Sequence, residues 1–161
     1  MNRLRFVLSL LCFVICSPSL ATTLNRPVTA ATGTEVVRAQ FGIFKQANSG
    51  KTEFVATNVV PFMPNQSYGW VLVLRTSQQK VKWREEFTLP QKPDTWGEPE
   101  ALGKRAVSED GRTSVTEREV SLNRGLILNA WSIAPGDPKG RYVIRVYVEG
   151  VLAGVFEFDV Q

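Results

Sequence analysis

Residues 141–160 read RYVIRVYVEGVLAGVFEFDV. Tyr142, Ile144, Val146 and Val148 alternate with other residues, as do Leu152, Phe156, Phe158 and Val160. An apolar period of two marks a strand with one buried face. Two such runs around Gly150 predict a hairpin. Gly154 occupies the remaining inward position of the second run, where glycine signals a bulge or a close backbone approach. Just upstream, Asp137-Pro138-Lys139-Gly140 predicts a tight turn, with proline presetting φ and glycine free to take φ > 0.

The same pattern continues toward the N-terminus. Val81, Trp83, Phe87 and Leu89 alternate with Lys80, Lys82, Arg84, Glu86 and Thr88, which predicts another one-sided strand. Tyr68 to Thr76 is nearly continuous apolar and predicts a strand buried on both faces. Val37, Ala39, Phe41 and Ile43 alternate in an opening strand, Asn48-Ser49-Gly50 is a turn cluster, and Glu53 to Val60 reads as a second strand. Asp110-Gly111 is a two-residue hairpin signal between Ala106–Glu109 and Arg112–Val120, and Gly125 to Ile133 is a further strand. Residues 91–104, with Pro93, Trp96, Gly97, Pro99 and Gly103, form a long loop. No segment holds a helical period beyond two turns. Short strands separated by turn signals predict an all-β, antiparallel sandwich of about seven to nine strands, with a small barrel as the alternative.

The first 21 residues read differently. Arg3 and Arg5 precede the apolar run Phe6 to Cys16, and Ser19 and Ala21 supply the small residues that signal peptidase requires. The run is shorter than the roughly 20 residues of a membrane span. The expectation is a signal peptide over 1–21 cleaved near Ala21, a flexible Thr/Ala-rich leader over 22–34, and one domain over 35–161. The protein is then periplasmic or secreted, with no membrane span after cleavage. Loss of Arg3 and Arg5 takes the 19 basic residues to 17 against 15 acidic, a net charge of +2. So balanced a chain carries no electrostatic footprint for nucleic acid. Both cysteines, Cys12 and Cys16, leave with the signal, so the core must be held without disulfides.

Three passages together are familiar: Phe41-Gly42-Ile43-Phe44, then Tyr68-Gly69-Trp70, then Ala130-Trp131-Ser132-Ile133 followed by Gly136, Gly140 and Tyr142, with Phe156 to Val160 closing. This pattern resembles a bacterial domain-of-unknown-function family of exported proteins with a single Ig-like β-sandwich domain. The resemblance spans most of residues 36–160 and implies an exported Ig-like sandwich. It brings no catalytic residues. Under it, Trp131 resembles the buried core tryptophan of Ig-like sandwiches.

The chemistry is bounded by what is missing. The chain has no histidine, which removes the usual hydrolase triads and His-ligated zinc. No calcium loop, phosphate loop or nucleophile elbow occurs, so no metal and no cofactor is expected. Carboxylates remain, and one is out of place. Glu85 lies on the apolar face of Val81, Trp83, Phe87 and Leu89. It pairs with an inward arginine, is turned out by a bulge, or sits at a functional opening. Glu117 and Glu119, and the stripe Lys80, Lys82, Arg84, read as solvated faces. Trp96, in a polar loop beside Asp94 and Glu98, is the best binding lead, because a loop tryptophan can stack on a sugar or anchor a partner.

These observations lead to an expected non-enzymatic binding or interaction module of the bacterial cell envelope, with an envelope protein or glycan as partner. A carboxylate-dependent, glycan-active enzyme using Glu85 and a small-ligand carrier are the alternatives.

Overall fold

The computed structural model describes residues 33–46, 50–97 and 103–161. The expected signal peptide, nearly all of the leader, Asn48, Ser49 and Glu98 lie outside these residues. Within them the chain is all strand and connection: β1 Glu35–Gln46, β2 Thr52–Ala56, β3 Val59–Val60, β4 Ser67–Arg75, β5 Lys80–Thr88, β6 Lys104–Val107, β7 Thr113–Ser121, β8 Leu126–Ser132, β9 Gly140–Val148 and β10 Val151–Val160. They form two sheets, one ordered β2-β1-β4-β8 and the other β3-β10-β9-β5-β7-β6. All pairings are antiparallel except β3 with β10. The sheets stay separate, which makes the fold a sandwich and not a barrel.

Most inward positions are those the alternation marks; Val37 is an exception, because the β1–β4 register shifts between Val36 and Arg38, so that Val36 packs against the core and Val37 is 43% exposed. Tyr68, Trp70, Leu72 and Leu74 of β4 face Val81, Trp83 and Phe87 of β5, and Tyr142, Ile144, Val146 and Val148 of β9 complete the layer. Phe41 stacks on Phe158 at 4.0 Å between centroids, and Tyr68, Phe87 and Tyr142 close a ring cluster around Phe158. This packing fills the space between the sheets that a carrier would need open. The Tyr142 hydroxyl donates to the Pro138 carbonyl at 2.5 Å, tying the start of β9 to the preceding corner.

Several expectations need correction. The predicted strand Glu53–Val60 is two strands. The chain leaves the first sheet after Ala56 and Val59–Val60 pairs with Asp159–Val160 in the second. β4 is fully buried on its inner face, while on its outer side Gly69 is buried and Val71 and Val73 are only partly covered. The tight turn lies upstream of Asp137-Pro138-Lys139-Gly140. It runs from Ala134 to Asp137, with Pro135 and Gly136 in the middle, φ +86° at Gly136, and a bond from Asp137 N–H to Ala134 C=O. The Asp110-Gly111 hairpin exists, but its loop is longer than two residues. Ser108 N–H still bonds Thr113 C=O, and the Gly111 N–H closes a turn on Ser108 C=O. Gly154 does mark a bulge, since the β9–β10 register shifts between Leu152 and Gly154. That shift puts Leu152 outside at 40% exposure, where unbroken alternation places it inside.

Candidate functional site

The two sheets are joined across the core at Glu85. Strand alternation on β5 forces this side chain inward, and its relative exposure is 0%. Opposite it, β4 and β8 pair with Trp70 beside Asn129 and Tyr68 beside Trp131. Trp70 Nε1 donates to Glu85 Oε2 at 2.5 Å, and Trp131 Nε1 donates to Oε1 at 2.9 Å. Asn129 Nδ2 reaches both oxygens, at 3.1 and 3.2 Å. An indole N–H can only donate, so these partners suit an ionised carboxylate. Burial works the other way and, despite the three donors and the Arg118 charge, holds the Glu85 carboxyl above its usual range.

Of the three readings of Glu85, the side chain is neither turned out by a bulge nor set at an opening. It is sealed, and two indoles and an amide donate to it; Arg118 contributes through its charge. A glycan has no path to it in this structure. Asn129, an inward polar residue in the apolar run Leu126–Ser132, was the sequence signal for such a partner. Trp131 is also corrected: it is half-buried, and the fully buried core tryptophan is Trp70 at 0% exposure.

The remaining carboxylates of the β5–β7 and β9–β10 outer faces sit in ion pairs. Lys80 meets Glu119 at 3.7 Å, Arg84 meets Glu86 and Glu117, and Arg141 meets Glu157 and Asp159. Lys80 and Arg84 of the basic stripe thus pair across strands with Glu119 and Glu117. Among the described residues no cluster of three or more His, Cys, Asp or Glu could hold a metal ion.

The loop lead has a defined geometry. The six-stranded sheet is wider than its four-stranded partner, and the loop after β5 packs at the end of the sandwich beside β6 and β7. Pro93 is buried. Trp96 is half-buried, edge-on to Phe87 at 5.7 Å and to Trp131 at 6.0 Å, and its Nε1 donates to Gly111 C=O at 2.9 Å. Arg105 lies over the Trp131 ring at 5.1 Å and donates to Trp96 C=O at 2.8 Å. The Asp94 N–H reaches Gly136 C=O at 3.4 Å, while Asp94 and Thr95 stay exposed. Trp96 therefore anchors the loop to the core, and its polar neighbours face outward. Glu98 lies outside the described residues.

Among the described residues, no helix is long and apolar enough to cross a membrane. Comparison with known proteins agrees with this architecture. The chain is similar to an immunoglobulin-like protein from Pseudomonas aeruginosa, at 18% identity and TM-score 0.54, over 82% of this chain and 100% of that one. It is similar, more distantly, to the PmoD soluble domain from Methylocystis sp., at 14% identity and TM-score 0.41, over 76% of this chain and 90% of that one. No curated protein matches its sequence. A family model described as the PM0630 beta sandwich domain matches residues 39–161, and with most of its length covered the chain belongs to that family.

Proposed function

We propose that the protein is an exported, non-enzymatic interaction module of the bacterial cell envelope, which contacts an envelope protein or glycan through the loop carrying Asp94 and Trp96. The observation that carries this reading is the anchored loop. Trp96 and Arg105 hold the backbone around residue 96 to the core while Asp94 and Thr95 are exposed. A segment such as 91–97, pre-ordered on a rigid scaffold, loses little entropy on binding. The sealing of Glu85 supports the non-enzymatic part, because the one carboxylate that is fully buried among the described residues serves the fold. The export part rests on the N-terminal pattern Arg3 to Ala21.

The test is site-specific photo-crosslinking in intact cells, with the crosslinker at Thr95 or, as control, at Lys82 on the ion-paired outer face. The reading expects an adduct at Thr95 that is absent at Lys82 and lost in Trp96→Ala. Identical adducts at the two positions, or none at Thr95, would count against it.

A further inference from the structure

One end of the sandwich opens between the two sheets. There β4 runs out at Arg75, β5 begins at Lys80, and the chain crosses from β7 to β8 through the turn Asn123-Arg124-Gly125-Leu126. The Leu122 N–H bonds Gln79 C=O at 2.9 Å and holds this crossing to the six-stranded sheet. The Leu74 N–H bonds Gly125 C=O at 2.7 Å and holds it to the four-stranded one. Between these ties lies a cleft of about 670 Å³. Leu74, from the core, and Leu122, packed against the core, line it together with Arg75, Lys80 and Arg124. The three cations come from three elements, one on each sheet and one on the turn that joins them. None of the described residues lining the cleft is acidic.

Arg124 stands there against the preference of its own backbone. It and Gly125 are the central residues of a turn closed by Leu126 N–H on Asn123 C=O, and they take φ +54° and +75°. Positive φ at both positions marks the primed hairpin turn, whose first central residue is ordinarily Asn, Asp or Gly. At Gly125 the requirement is plain, since a Cβ would stand 2.3 Å from Leu74 O. Arginine gains nothing from a left-handed backbone, so the reason for it lies in its side chain. Among the described residues Arg124 enters no ion pair, whereas Arg75 meets Glu35 at 2.6 Å and Lys80 reaches Glu119 at 3.7 Å. Neither of those carboxylates lines the cleft. Three cations against two acids outside the lining leave it positive, and a cleft of one sign concentrates the field.

We propose that this cleft binds a phosphate monoester group, with Arg124 as its principal ligand and Arg75 and Lys80 completing the charge. A carboxylate, with one charge, is matched by a single bidentate arginine. A phosphate monoester brings about two negative charges and three strong acceptor oxygens, which suits cations arriving from three directions. Leu74 and Leu122 then face the carbon skeleton that bears it. The loop carrying Asp94 and Trp96 follows the other end of β5, so the two sites are independent. The same group occurs on small metabolites and on lipid headgroups, and the test separates these sources.

The full chain is titrated with glycerol 3-phosphate and followed by nuclear magnetic resonance, against sodium chloride at matched ionic strength. In parallel it is floated with phosphatidylcholine vesicles, with and without phosphatidic acid. Saturable shifts around residues 74–80 and 121–125 would assign a soluble phosphate monoester. Retention only on the vesicles with phosphatidic acid would assign a lipid headgroup. Arg124→Asn should weaken the binding seen by roughly tenfold, the loss of one charge-assisted partner. Its unfolding midpoint should hold or rise, because asparagine accepts positive φ more readily. Lys80→Gln should weaken binding as well, and Lys82→Ala, outside the cleft, should leave it unchanged. The proposal is overturned if neither saturable shifts nor selective retention is seen. Binding that survives Arg124→Asn or Lys80→Gln, or that Lys82→Ala weakens equally, also overturns it. So does a lowered unfolding midpoint in Arg124→Asn, which would give the arginine a role in the turn itself.

Discussion

Trp70→Phe probes the core carboxylate directly. The substitution keeps an aromatic ring in the same slot and removes one N–H from Glu85 Oε2. A hydrogen bond to a charged group contributes about 1.5–3 kcal/mol. The smaller ring also forfeits about 1 kcal/mol of packing. The expected loss is therefore roughly 2.5–4 kcal/mol, a large part of a typical domain's stability. Glu85→Gln separates the two contributions. Its amide offers one acceptor and one donor, so with Trp70 retained one oriented indole N–H meets another donor. In the Trp70→Phe background that conflict disappears, and only the packing loss remains. A double-mutant cycle should give a coupling of about 1.5–3 kcal/mol between positions 70 and 85. Urea unfolding followed by far-ultraviolet circular dichroism measures it without relying on the tryptophan being removed. Additive single effects, within about 0.5 kcal/mol, would refute the idea that the indole serves the carboxylate.

Glu85 also sets a pH dependence. Burial holds its carboxyl above the usual range in the folded chain. The fold thus binds that proton more tightly than the unfolded chain does, so this group's contribution is fullest below about pH 4.3 and declines as pH rises through the folded pKa. The difference in stability between wild type and Glu85→Gln, measured from pH 3.5 to 8, should fall with rising pH; a flat difference would contradict the assignment. Gly69→Ala should cost about 1–3 kcal/mol or more, because a Cβ there would stand 2.0 Å from Asn129 O and 2.9 Å from Ala130 Cα, both backbone atoms. A Gly69→Ala variant with an unchanged unfolding midpoint would refute the close β4–β8 approach. Trp96→Ala should cost about 1–3 kcal/mol, less than a fully buried aromatic, and should make the loop cleavable by limited proteolysis while the rest of the chain resists. Loop cleavage no faster than in wild type would refute the anchor role.

Much of this architecture is written locally. Alternation at Val81, Trp83, Phe87 and Leu89 and in the closing hairpin identifies inward faces because the side-chain period of a strand is two. Glu85 was visible as an anomaly for the same reason. Its partners were not, since Trp70, Asn129 and Trp131 lie 15, 44 and 46 residues away in sequence and come from the opposite sheet. No local pattern records which strands face each other. The division of Glu53–Val60 was hidden for a related reason: both halves are strand-like, and only the change of sheet after Ala56 separates them. The one-sided burial of β4 depends on the four-stranded sheet having nothing packed outside it. An apolar run cannot distinguish that from a strand covered on both faces. The loop lead was legible as a tryptophan among polar neighbours, but its anchoring to Gly111 and Arg105 required the β6–β7 hairpin to be in place.

Hydrogen exchange at the indole N–H groups, read by nuclear magnetic resonance, bears most directly on the sealed core. If Glu85 is an inter-sheet tie closed to solvent, the Trp70 Nε1 proton should exchange only through global unfolding, and its resonance should shift in Glu85→Gln. Exchange orders of magnitude faster than global unfolding would mean that the carboxylate is open to water, and an inward acid with solvent access would return the chain to the class of candidate enzymes.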